Sequence, residues 1–171
     1  MQRLTTVRRV TTADGPLVRA VRLRALASDP LSFGSTYERE AAYTDAKWDE
    51  WAAGDAAGDD AATFLAFDGE APIGIVVGAR RDDEQDVFNV FAMWVAPEAR
   101  RRGVARLMLE TVERWIASAG ARQAALSVTT AAPAARRLYE SAGYEPTGSS
   151  AESRHTPGVV EFGYRKTLGE R

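Results

Sequence analysis

The chain has 171 residues, 45% of them hydrophobic and 27% charged, with 22 Lys and Arg against 24 Asp and Glu for a net charge of -2. That balance fits one folded domain over residues 1–171, lies outside the low-hydrophobicity range of disordered chains, and speaks against general nucleic-acid binding. With no cysteine and a single histidine, His155, there is no disulfide, no thiolate metal site, no cysteine-bound acyl intermediate and no paired-histidine zinc motif, and no G-x-S-x-G elbow offers a serine nucleophile.

The opening residues carry no apolar stretch of signal-peptide length, and no run of about 18 apolar residues occurs, so a cytoplasmic protein with no membrane partner is expected. Leu4, Val7 and Val10 mark a first strand, and Leu17, Val18, Val21 and Ala25 place a helix over Thr12–Ser28. After Pro30 come short helical pieces, around Tyr37–Ala42 and Asp45–Ala53. Ala62–Phe67 and Ile73–Val77 read as strands joined by the turn residues Asp68, Gly69 and Glu70 in an antiparallel hairpin. Val87–Val95 is apolar at both alternating sets of positions, the pattern of a central strand covered on both faces.

Val104, Leu107, Met108, Val112, Trp115 and Ile116 follow helical spacing up to a stop at Gly120. A buried strand at Ala124–Val128 follows, then a helical stripe of Ala135, Leu138, Tyr139 and Ala142 closed by Gly143, with Thr130 available as its cap. Two extended pieces, near Tyr144–Thr147 and Val159–Lys166, end the chain on either side of a loop holding His155.

Chemistry concentrates where the central strand meets the long helix, at Val95-Ala96-Pro97-Glu98-Ala99-Arg100-Arg101-Arg102-Gly103-Val104-Ala105. Pro97 ends strand pairing, Gly103 permits close backbone approach, and the first helical turn points unpaired N–H groups toward any anion. Arg100, Arg101, Arg102 and Arg106 would add charge to such a cradle. A plain strand-to-helix turn with solvated arginines satisfies the same string. A P-loop would need Gly-Lys-Ser/Thr, and a dinucleotide fingerprint would need three glycines where this loop has one.

Arg100-x-x-Gly103-x-Ala105 after Val95-x-Pro97 resembles the acetyl-CoA signature of the GNAT (GCN5-related N-acetyltransferase) superfamily. Leu126-x-Val128, Ala135, Leu138-Tyr139 and Gly143-Tyr144 match its second cofactor helix. The resemblance implies an α/β (α+β) GNAT fold: a mixed, mostly antiparallel twisted sheet with splayed central strands and helices on both faces. It implies acetyl-CoA as co-substrate, with Met93, Trp94 and Val95 holding the pantetheine arm and polarising the thioester. The pyrophosphate would rest on the amides of Arg101, Arg102, Gly103, Val104, Ala105 and Arg106 beside Arg100, and Ala135 would line the second cofactor helix. Tyr139 would protonate the departing thiolate, although a tyrosine in that stripe also serves as plain packing.

Two positions depart from the pattern. Ala132 stands where relatives often carry an asparagine that contacts pantetheine, and Asn89 stands where some carry a glutamate base; an amide cannot take that proton. Asp86, Glu84 and His155 remain as candidate bases, together with a water chain. Residues 31–60 hold eight acids against two bases, which would suit a cationic small-molecule or peptide amine, though most of these acids also read as a solvated face. The resemblance points to an enzyme transferring acetyl to an amine, with no metal. An acyl-CoA-sensing or protein-interaction domain without turnover is the alternative, and a homodimer is left open.

Overall fold

A computed structural model describes residues 4–154 and 156–169. Strand β1 (Thr5–Arg9) leads into helix α1 (Gly15–Ser28). The helix starts three residues later than the apolar spacing suggests because Asp14 closes a turn of its own. Its carboxylate accepts from the Thr11 amide at 2.7 Å and pairs with Arg8 at 2.6 Å. Pro16, lacking an N–H, then fits the first helical turn, where no donor is needed. Helices α2 (Tyr37–Ala41) and α3 (Asp45–Asp55) each begin at a threonine whose hydroxyl accepts from an amide of the first turn: Thr36 from Arg39 and Thr44 from Lys47.

Strands β2 (Ala61–Asp68) and β3 (Ala71–Arg80) form the expected hairpin, turning at Gly69 with φ of 65°. β4 (Val87–Val95), α4 (Val104–Ser118), β5 (Gln123–Thr129), α5 (Pro133–Ser141), β6 (Glu145–Glu152) and β7 (Val160–Thr167) complete the chain. The seven strands form one sheet in the order β1-β2-β3-β4-β5-β7-β6, and every neighbouring pair is antiparallel except β4 and β5. Among the described residues no helix is long and apolar enough to cross a membrane.

Neighbouring side chains on β2 show how the layers lie. Thr63 receives a hydrogen bond from Trp51 of α3 at 3.0 Å, whereas the Phe64 ring packs on Trp115 of α4 at 6.4 Å. Adjacent residues of a strand point to opposite faces, so α3, with α1 packed on it, covers one side and α4 the other. α4 buries Val104, Met108, Leu109, Val112 and Ile116, a stripe whose removal from water stabilises the fold by on the order of 10 kcal/mol. Its close approach depends on Gly78, where an added Cβ would lie 2.8 Å from Val112 and 3.0 Å from Trp115. α5 lies beside α4, with Arg106 Nη2 donating to Ser141 Oγ at 2.8 Å. The sheet is therefore mixed, mostly antiparallel and flanked by helices on both faces, as the sequence leads one to expect.

Two expectations need correction. β4 is not covered along its whole length: Val87, Phe88, Val90, Trp94 and Val95 are buried, but Phe91 is 48% exposed and Asn89, Ala92 and Met93 are half-buried. Thr130 does not cap α5, whose N-cap is Ala132; the Thr130 hydroxyl instead lies 3.4 Å from the Val160 amide, from which it accepts.

Candidate functional site

The exposed middle of β4 follows from its pairing. β4 runs parallel to β5 only over Val87–Asn89, opposite Gln123–Ala125. Beyond Asn89 the two strands separate, and a cleft of about 1840 Å³ opens between them. On its other edge β4 carries a bulge. Ile75 faces Trp94 and Val77 faces Phe91, so the single residue Val76 stands against both Ala92 and Met93. Ala92 sits at φ 53°, a left-handed conformation that costs a non-glycine residue about 1–2 kcal/mol. Such strain, held in place by the surrounding sheet, turns the backbone of Ala92 and Met93 out of the ladder beside the cleft. Met93, Trp94 and Val95 all line it.

At one end of the cleft lies the loop before α4. Arg101 and Gly103 have φ of 63° and 79°, a bend of the kind that gathers backbone amides into an anion-binding concavity. Among the described residues, none of the amides from Arg101 to Arg106 finds an acceptor; the first helical bond is from Leu107 to the Gly103 carbonyl at 3.1 Å. An added Cβ at Gly103 would meet open space, so an incoming group can reach this backbone. Gly103, Val104 and Ala105 line the cleft.

The four arginines do not act as one cluster. Arg100 is taken up by Asp29 at 2.7 Å and by the Val95 carbonyl at 3.0 Å, and Trp94 Nε1 also donates to Asp29, at 2.8 Å. Burial works to raise the Asp29 carboxyl, but hydrogen bonds from Ser28, Trp94 and Arg100 outweigh it and hold the group below its ordinary value. Arg102 turns toward Asp68 at 3.2 Å and does not line the cleft. Arg106 lines it, steadied by Ser141, and Arg101 lines it with no acidic partner among the described residues.

Across the cleft, Ala135 and Tyr139 face in from α5. Tyr139 is 7% exposed, sits edge-on to Tyr144 at 5.9 Å, and its hydroxyl has no partner among the described residues. Burial pushes its phenol well up, so it holds its proton throughout the neutral range. Tyr144, by contrast, is committed: its hydroxyl donates to Glu113 at 3.0 Å, and Lys166 meets the same carboxylate at 2.8 Å.

The candidate bases are scattered. Asn89 lines the cleft, but Asp86 lies in the turn before β4, outside the lining, where its carbonyl accepts from the amides of Arg122 and Gln123. Glu84 is bound by Arg165 at 2.5 Å and 2.8 Å, bonds that hold its carboxyl below the usual range. His155 falls outside the described residues. None of the eight acids of residues 31–60 lines the cleft. Glu40 is buried against Arg22 at 2.8 Å, Asp55 bonds Thr63 and Asp60 pairs with Arg80 at 2.9 Å. Of the aromatic residues in that stretch, Phe33 lines the cleft, Trp48 is fully buried core and Tyr37 is exposed.

Arg22, Ser35, Thr129 and Glu161 are among the lining residues that the sequence reading did not single out. Glu161 makes no side-chain hydrogen bond or ion pair among the described residues. It shares a face of β7 with Gly163 and Arg165, and that period of two was the one signal available for it.

A family model described as Acetyltransferase (GNAT) family matches residues 22–144, more than half of the chain. No curated protein matches the sequence. Among solved structures, an acetyltransferase of the GNAT family from Streptococcus pneumoniae is similar, with a TM-score of 0.81 at 22% identity over 97% of this chain and 100% of its own. The Salmonella typhimurium protein yncA, solved with its cofactor acetyl-CoA, has a TM-score of 0.80 at 13% identity over 98% and 96%. A GCN5-related N-acetyltransferase from Kribbella flavida has a TM-score of 0.76 at 21% identity over 96% and 98%. At such identities the structural likeness speaks to the fold.

Proposed function

Because the chain belongs to the GNAT acetyltransferase family, we propose that it is an N-acetyltransferase that uses acetyl-CoA and passes the acetyl group directly to a primary amine, within one domain. One observation carries this reading. The amides of Arg101 and of Gly103 to Arg106 and the hydroxyl of Tyr139, none with a partner among the described residues, belong to residues that line a single cleft.

The residues present fit the co-substrate. The amides from Arg101 to Arg106 would hold its pyrophosphate, with Arg101 and Arg106 supplying charge. The backbone of Met93 to Val95, on the edge of β4 that has parted from β5, would hold the pantetheine arm between the two strands. Acetyl-CoA supplies an activated thioester. In the net reaction an N–C bond forms, the C–S bond breaks, the amine gives up a proton and the sulfur takes one. Tyr139, kept protonated by burial, donates to the departing sulfur. Only two carboxylates among the described residues line the cleft, Asp29 and Glu161. Asp29 is occupied by Arg100 and Trp94, so Glu161 is the group that faces the ammonium and takes its proton.

Calorimetry with acetyl-CoA, followed by thiol release with a panel of amines, tests the proposal. Tight binding and amine-dependent release are expected. Binding without release from any amine would instead support an acyl-CoA-sensing domain, and no binding at all would remove both readings.

A further inference from the structure

Six buried side-chain atoms among the described residues lack a hydrogen-bond partner. Three of them, Arg22 Nη1, Ser35 Oγ and Thr129 Oγ1, belong to residues lining the cleft. A buried polar atom without a partner carries the full penalty of its lost hydration, and a polar ligand seated in this cleft would offset it for all three.

The fold presents these groups firmly. Arg22 is 7% exposed, bound to Glu40 through Nε at 2.8 Å and Nη2 at 2.9 Å, with its guanidinium 4.9 Å from the Phe33 ring. That clamp uses one edge of the guanidinium and leaves Nη1, which can only donate. Ser35 stands two residues after Phe33, in the segment whose start, Pro30–Ser32, packs beside β5. Thr129 ends β5, and its register partner on β7 is Glu161. Directly opposed residues of an antiparallel pair project to the same face with Cβ atoms about 4.5–5.5 Å apart. A hydroxyl and an uncommitted carboxylate therefore stand side by side at this end of the sheet.

We propose that the acceptor carries a carboxylate close to its amine, the head group of an amino acid. Arg22 Nη1, Ser35 Oγ and Thr129 Oγ1 receive its oxygens while Glu161 faces the neighbouring ammonium. The inference rests on the N-acetyltransferase reading and narrows its substrate class. It also accounts for the absence of the acids of residues 31–60 from the cleft, since a polycationic acceptor would need them there.

The test offers acetyl-CoA with matched acceptors: the common α-amino acids, their primary amides and the corresponding decarboxylated amines, beside polyamines, aminoglycosides and lysine peptides. At least one amino acid should be used with a kcat/KM about ten-fold or more above that of its amide and its amine. Ser35→Ala and Thr129→Val should each raise KM for that amino acid about ten-fold, narrow its lead over the amide, and leave thermal stability equal or higher, because each removes an unsatisfied atom. Arg22→Lys, which retains a cation for Glu40, should do the same to KM. Equal use of the amide or the decarboxylated amine, or turnover confined to polyamines, aminoglycosides or peptides, would overturn the inference and leave the acetyltransferase standing. KM changes that are the same for carboxylated and uncarboxylated acceptors would also overturn it. No thiol release from any acceptor would remove the activity and the inference together.

Discussion

Tyr139 and Tyr144 lie 5.9 Å apart and are both buried, yet the structure gives their hydroxyls opposite duties, which makes them a paired experiment. The Tyr139 hydroxyl has no partner among the described residues, so Tyr139→Phe removes no hydrogen bond seen there, and stability should stay within about 0.5 kcal/mol of wild type. If it donates the proton to the departing thiolate, kcat should fall by about 10² to 10⁴ while KM for acetyl-CoA hardly moves. The Tyr144 hydroxyl bonds the Glu113 carboxylate at 3.0 Å, and Tyr144→Phe leaves that carboxylate with Lys166 alone. A hydrogen bond to a charged group contributes about 1.5–3 kcal/mol, which in a chain of this size lowers Tm by roughly 3–12 °C, with kcat unchanged. Thermal melts and steady-state thiol release on both variants give four numbers. The reasoning fails if Tyr139→Phe keeps activity within a few-fold, or if the two variants lose stability equally.

Gly103→Glu should abolish acetyl-CoA binding in calorimetry on folded protein, because a carboxylate would stand before the amides of Arg101 to Arg106 and φ of 79° disfavours any side chain; unchanged affinity would remove the loop from the site. Asp14, held below its ordinary pKa first by the hydrogen bond from Arg8 and against the effect of burial, should contribute stability above the unfolded value of about 3.9 and lose it as pH falls through the folded value. Asp14→Asn should therefore cost about 1–3 kcal/mol in denaturant titrations at pH 7, with the gap closing below about pH 4. Met108→Ala, in the fully buried face of α4, should cost about 2–5 kcal/mol in the same titrations, and a loss under 1 kcal/mol would mean the core had collapsed around it.

The elements legible in the sequence were those written in local pattern. α4 could be read from its apolar stripe, the β2–β3 hairpin from Asp68 and Gly69, and the turn from β4 toward α4 from Pro97 and Gly103. The β6 strand was read short because all eight of its residues are exposed, so no alternation marks it; its backbone pairs with β7 at the sheet edge. The exposure of Phe91 had no local sign either, since it depends on where β4 and β5 part. Long-range charge pairing was equally hidden: Arg100 and Asp29 are 71 residues apart, and nothing near Arg100 says that its charge is already used. Arg22 and Glu161 sit singly among apolar or polar neighbours, and only the assembled cleft brings them to notice.

The short parallel contact between β4 and β5 makes the molecule a lever. Three register pairs, Val87–Asn89 with Gln123–Ala125, are the whole ladder joining a four-stranded blade to a three-stranded one. The free arm of β4 beyond them, Val90–Val95, is roughly 20 Å long at strand rise. Rotating one blade by about 5° about this fulcrum moves its tip by about 2 Å over that length, enough to turn a van der Waals contact into a gap that admits water. The line of fewest strand-to-strand bonds in the sheet thus runs beside the mouth of the cleft, and a ligand seated at the tip would work against such a rotation with the greatest mechanical advantage.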